Sequence, residues 1–328
     1  MKKGIYQVIL LAVCLFCLSG CGKEQKKETM ETGKQEQLNI VTTIFAPYDF
    51  ARQIVGEKGT VTMLEPPGGE SHSYEPTPQD IISIENCDMF VYIGGESETW
   101  VEDLLKDIDT SKVKVVSCMD FVTALEEETV EGMEAEKEEH EDEEGETEYD
   151  EHIWTSPENA IAIVKQLSEC IQQLDQDNQE FYQQRTQSYL ARLEQLDQSF
   201  QKVVDNAERK TVIFGDRFPL RYFVEEYGLT YFAAFPGCAE DTEPSAATIT
   251  FLVDKVKEEN IPVVFHIELS NEKIADTICE STGAEKVLFH SCHNISKDDF
   301  SAGVTYLELM EQNVSALEKA LGTKERRE

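Results

Sequence analysis

Positive charge is scarce in this 328-residue chain: 29 lysines and arginines stand against 65 aspartates and glutamates, leaving a formal net charge of −36. A chain so acidic repels polyanions and carries no basic stripe, which excludes nucleic acid as a partner and favours cations. Enzyme signatures are missing too, since there is no His-Glu-x-x-His, no Gly-x-Ser-x-Gly and no evident nucleophile with its base. Beyond residue 17 there is no Cys-x-x-Cys pair, so a cysteine zinc finger or ribbon is excluded. After residue 18 no segment approaches the length of a membrane-spanning helix. Apolar residues still make up 40%, enough to pack one large domain or two lobes.

What is present begins with an export signal. Lys2 and Lys3 precede an apolar run from Ile5 to Leu18 that only Gln7 interrupts. The run is short for a membrane span and ends in small residues, as signal peptides do. Leu18-Ser19-Gly20-Cys21 is similar to the bacterial lipobox, in which cleavage precedes a cysteine that is then diacylated. Residues 1–20 are therefore expected to be removed, and Cys21 to hold the chain at the extracytoplasmic face of a membrane. Residues 21–37, mostly Lys, Glu, Gln and Thr, form an expected disordered tether. Cys87, Cys118, Cys170, Cys238, Cys279 and Cys292 then remain. The compartment permits disulfides, but spacing does not pair them, and buried thiols are the alternative.

The body alternates short β-branched runs with helical stretches, twice over. The first series has runs at Leu38–Phe45, Val61–Leu64, Met89–Ile93 and Val113–Val116; the second has Thr211–Phe214, Leu229–Phe235, Val263–Ile267 and Lys286–Phe289. This predicts an α/β protein of two lobes, each a parallel sheet flanked by helices. Between them Tyr182, Tyr189, Leu193, Leu196, Phe200 and Val203 recur at helical spacing with no Gly or Pro inside. That stripe predicts one long rigid helix, about 40 Å at ~1.5 Å per residue, joining the lobes. The expected layout is an N-terminal lobe over 38–177, a linker helix over 178–208 and a C-terminal lobe over 209–322. Ligands of such folds sit at the carboxyl ends of the strands.

Residues 126–151 hold 16 acids, one lysine and one histidine, His140. A net charge of −15 predicts a solvated, mobile loop, either a solubilising insertion or a weak collector of divalent cations. The six histidines are more selective, because four fall in loops or just after strands. His72 lies in a turn-rich loop after Val61–Leu64, His152 follows the acidic loop, and His290 and His293 follow Lys286–Phe289. Asp216 and Arg217 follow Thr211–Phe214. Imidazoles with one carboxylate are a zinc donor set, with about four ligands at ~2.0–2.2 Å. His266, in mid-strand, is expected to pack rather than ligate.

Several of these segments resemble one family. Pro67-Gly68-Gly69 with His72-Ser73-Tyr74-Glu75-Pro76-Thr77-Pro78, Asp88 to Gly95 with Trp100, His152-Ile153-Trp154 to Pro157, and Tyr306 to Met310 with Asn313 stand in the order found in the receptors of bacterial zinc and manganese ABC importers, the solute-binding lipoproteins that include the adhesin type. The resemblance runs from about Leu38 to Leu321. It implies a non-enzymatic, monomeric receptor with its metal between two lobes and an ABC permease as partner. It implies His72 and His152 as the first two ligands. The third, commonly His or Glu, falls in Phe214-Gly215-Asp216-Arg217-Phe218-Pro219, where Asp216 is the residue able to bind. The fourth is often an Asp before the last helix, where Val304-Thr305 stand; the alternative in the loop after the last strand falls on His293, with His290 in reserve. Three imidazoles and one carboxylate favour Zn²⁺, with Mn²⁺ as the alternative. A zinc-dependent hydrolase, a surface adhesin with a structural metal and a siderophore or vitamin receptor are the competing readings.

Overall fold

The structure, a computed structural model, describes residues 37–69, 74–134, 148–239 and 243–324. The expected leader, the tether up to residue 36 with Cys21, and His72 and His140 lie outside the described residues. The first half runs β1 (Leu38–Thr42), α1 (Phe45–Val55), β2 (Gly59–Met63), α2 (Pro78–Glu85), β3 (Met89–Tyr92), α3 (Thr99–Asp107) and β4 (Lys114–Ser117). Its four strands are parallel in the order β2-β1-β3-β4. Local chemistry sets the boundaries. Thr77 caps α2 through the Asp80 amide, Asp80 returns the bond to the Thr77 amide, and Pro78 fills the first helical position.

Two helices follow, α4 (Pro157–Leu174) and α5 (Gln179–Asp205). The second is the expected linker helix, 27 residues long. It buries Tyr182, Tyr189, Leu193, Leu196 and Phe200 as the spacing predicts, but the last position falls on Val204, not Val203, one 3.6-residue turn after Phe200. Each large apolar side chain so buried contributes about 1.5–3 kcal/mol. The helix packs on α4, on α1 and on the last helix of the chain.

The second half runs β5 (Thr211–Phe218), α6 (Arg221–Tyr227), β6 (Thr230–Pro236), α7 (Ala246–Glu258), β7 (Val263–His266), α8 (Lys273–Thr282), β8 (Glu285–Leu288), α9 (Lys297–Ala302) and α10 (Tyr306–Leu321). Its strands are again parallel, in the order β6-β5-β7-β8. Each sheet thus has a switch point, between β1 and β3 and between β5 and β7, where crevices form beyond the strand ends.

One core runs through both halves: Ile40, Met89 and Val91 of the first sheet, Leu193 and Phe200 of α5, Phe214 and Phe265 of the second sheet and Phe289 just after its last strand belong to a single buried cluster. The outer face of each sheet has its own smaller cluster. Two expectations change. Asp216 and Arg217 do not follow the strand but belong to it, because a register shift between Phe214 and Arg217 lets β5 pair with β6 as far as Phe218. The acidic segment is not solvated throughout. Its first part lies on the second half of the chain, where Gly132, at φ +83°, passes against the Phe251 ring. Glu128 meets Arg221, and Glu134 accepts from the Ser245 amide and the Thr248 hydroxyl. Residues 135–147 lie outside the described residues.

Candidate metal centre

His152 is fully buried at the entrance to α4. The end of the acidic segment folds onto it: the Asp150 carboxylate accepts from the His152 amide at 2.8 Å and lies 3.1 Å from Nδ1. A carboxylate behind one ring nitrogen places the proton there and directs the lone pair of Nε2 away from it, the arrangement found behind metal-bound histidines. Burial opposes a charge on the ring, but the neighbouring Asp150 outweighs it and holds the imidazole above its ordinary pKa. Asp150 is itself fixed, its carbonyl accepting from the Tyr222 hydroxyl of α6 at 2.7 Å.

His293 comes from the loop after β8. That loop turns sharply at Cys292, a buried residue at φ +60°, where only its surroundings hold a non-glycine residue. Glu268, just beyond β7, accepts from the amides of Ser291 and His293 and from the Ser291 hydroxyl. On the other side the His293 carbonyl accepts from the Phe45 amide at 3.1 Å. Asn294 donates to the carbonyls of Pro66 and Gly69, so the loop that leads to His72 is tied to the one bearing His293.

The rings of His152 and His293 meet edge to face with centroids 5.5 Å apart. Trp154 contacts both and anchors its indole N–H on the Ser291 carbonyl at 2.8 Å. A cavity of about 20 Å³, the size for one small occupant, opens beside His293 against Thr43, Glu65, Glu98, Glu151 and Trp154. Glu98 is buried there and accepts from the amides of Ile93 and Gly94; burial pushes its carboxyl up to about 7.

The remaining expected ligands stand differently. Asp216 is buried at the end of β5, with one oxygen on the Arg217 amide and the other on the Ile267 amide. Burial pushes its carboxyl above the usual range. His290 turns Nδ1 to the Cys292 amide, and its backbone pairs with Asn313. His266 ends β7 with Nδ1 3.1 Å from the Ile267 carbonyl, packed as expected.

Four residues that were not among the expected ligands also stand here. Glu65 and Cys238 lie just after β2 and β6, Glu98 follows β3, and Glu151 precedes His152. Each occupies a strand-end or loop position of the kind that singled out the histidines. Among the described residues, Glu151, His152 and Cys238 bring one ligand-type atom each within 4.8 Å of one another.

A family model for ZnuA, the periplasmic component A of a zinc-uptake complex, matches residues 40–320. The chain belongs to the ZnuA family. ZnuA-type proteins are metal-binding solute receptors, not enzymes, which sets the hydrolase reading aside. The chain is 33% identical over 319 residues to the high-affinity zinc uptake system protein ZnuA of Bacillus subtilis, covering 96% of this chain and 97% of that one. It is 30% identical over 321 residues to the zinc-binding lipoprotein AdcA of Streptococcus pneumoniae, spanning 97% of this chain but 61% of the relative. Among solved structures it is similar to the metal-dependent lipoprotein YcdH of Bacillus subtilis, with a TM-score of 0.74 at 32% identity over 87% of this chain and 100% of that one. It is also similar to the Zn(II)-bound ZnuA-like domain of Streptococcus pneumoniae AdcA, with a TM-score of 0.72 at 28% identity over 87% and 99%. ZnuA-type architecture accounts for the paired sheets and the long helix.

Proposed function

We propose that this chain is an extracytoplasmic lipoprotein, anchored through Cys21, that captures Zn²⁺ between its two lobes and delivers it to an ABC permease for import. The observation that carries the reading is the meeting of His152 and His293, with centroids 5.5 Å apart and Asp150 behind the first ring. They come from different halves of the chain, as capture between lobes requires, and neutral imidazoles suit zinc. His72 is the third imidazole of the proposed set and Asp216 the carboxylate. The lobes take the limits 38–177 and 209–322, with 178–208 between them. Among the described residues no helix is long and apolar enough to cross a membrane.

Capture involves no chemical transformation of a substrate, only coordination of the ion and its release. The acidic surface raises the local cation concentration, and the shared core holds the two loops in register. Glu65, Glu98 and Glu151 around the cavity favour a second reading, a manganese receptor, because hard carboxylates suit that ion. Growth of a deletion strain in zinc-limited and manganese-limited medium separates the two. Complementation by the native gene restores growth under zinc limitation, and a His152→Ala gene does not. Rescue confined to manganese limitation supports the second reading, and rescue by neither overturns both.

A further inference from the structure

We propose that the Cys238 sulfur is a metal ligand, binding a zinc-class cation together with the His152 imidazole and the Glu151 carboxylate. The inference rests on the reading of the chain as a divalent-cation receptor and names a further donor from its second half.

Nitrogen, oxygen and sulfur converge within 4.8 Å of one another. A tetrahedral zinc with bonds of about 2.0–2.3 Å separates its ligand atoms by about 3.3–3.8 Å, so a small closing movement suffices. The backbone is built for this approach. β6 ends at Pro236, and Gly237 then passes so close to the His152 ring that a Cβ would meet Cε1 at 3.0 Å. The Arg217 guanidinium holds the far side of the turn by donating to the Ala239 carbonyl at 3.3 Å. Asp150 orients the ring, as carboxylates do behind zinc-bound histidines.

The setting of this thiol differs from that of its neighbours. Cys87, Cys118 and Cys292 are buried inside apolar clusters, whereas Cys238 is half-buried among polar ligand-type groups and forms no disulfide. Asp216, the carboxylate candidate from the second half, already has both oxygens engaged by backbone amides. Binding displaces the thiol proton to bulk water and leaves a sulfur–metal bond, since a coordinated thiol is deprotonated. A thiolate among the donors selects zinc over manganese, because the softer ligand suits the softer ion.

The full chain, kept reduced, is loaded with Zn²⁺ for X-ray absorption and with Co²⁺ for optical spectra. A sulfur scatterer at about 2.3 Å from zinc and a thiolate-to-cobalt charge-transfer band in the near ultraviolet are expected. Cys238→Ser removes both, lowers zinc affinity at least as much as loss of a carboxylate behind a ligand, about 10–100-fold, and narrows the preference over manganese. Cys279→Ser, on α8, leaves the spectra unchanged. Zinc bound with only nitrogen and oxygen neighbours overturns the thiolate and leaves the receptor reading intact. Failure of the native chain to bind either ion overturns the receptor reading and the thiolate with it. The spectra of the native chain decide the matter even if Cys238→Ser does not fold.

Discussion

The carboxylate of Asp49 accepts the backbone N–H of Tyr306 at 2.8 Å, joining α1 to the first turn of α10 across 257 residues of sequence. Both residues are fully buried. The same carboxylate takes Arg52, whose guanidinium continues to the carbonyls of Gly303 and Val304, and it lies 3.4 Å from the Tyr189 hydroxyl of α5. One acid thus ties the first lobe, the long helix and the last helix at a point where an unpaired group is costly. Asp49→Ala is expected to lower unfolding stability by about 3 kcal/mol, because it strands a buried amide and an arginine. Denaturant unfolding with and without the substitution measures this; a loss below about 0.5 kcal/mol, the level of a neutral surface change, contradicts it.

Asp150 is predicted to act on metal through His152. Asp150→Asn keeps an acceptor for the ring N–H but removes its charge, so zinc affinity falls by about tenfold while thermal stability of the metal-free chain changes little. Asp150→Ala falls further, toward about 100-fold. Calorimetric zinc titration of the two variants beside the native chain gives the order; equal affinities mean that Asp150 does not orient the ring.

Gly237 serves the same ring from the other lobe. A Cβ at this position would meet His152 Cε1 at 3.0 Å and the Phe218 carbonyl at 3.1 Å, so Gly237→Ala must push the β6 turn and the histidine apart. Zinc affinity should drop while the circular dichroism spectrum is kept. Native affinity in that variant contradicts the close approach of the two loops.

Stability also carries a pH signature. Burial pushes the Glu226 carboxyl on α6 up to about 7, with Asp197 and Glu158 adding to the rise. The folded chain therefore holds this proton more tightly than the unfolded one. The contribution is full below about pH 4.5 and is lost as pH rises through about 7. Glu226→Gln removes that slope and is expected to raise stability at neutral pH by roughly 1–2 kcal/mol after allowance for solvent screening. Melting temperatures from pH 5 to 8 test it; parallel curves for the two proteins contradict it.

The architecture was legible because the signals are local. Val, Ile and Phe runs bounded by turns mark the eight strands of the described residues, and the Tyr182 to Phe200 stripe marks the long helix. Strand order within each sheet was not, since no local feature sets which neighbour a parallel strand finds. Asp216 reads as a turn residue between Gly215 and Pro219, yet the sheet carries it as strand because its carboxylate satisfies the Ile267 amide. Asp150 and Glu151 look like the tail of an acidic tract, and only tertiary contact with Tyr222 and Ser97 shows them buried beside His152. Cys238 was one of six unassigned thiols until folding set it beside that ring.

The central claim concerns His152 and His293 holding one cation between the lobes. Its most direct measurement is calorimetric zinc titration of the native chain and of His72→Ala, His152→Ala and His293→Ala, each checked for an intact fold. One tight site in the native chain, weakened by orders of magnitude at each of the three positions, is the predicted result. Native affinity in both His152→Ala and His293→Ala would contradict it.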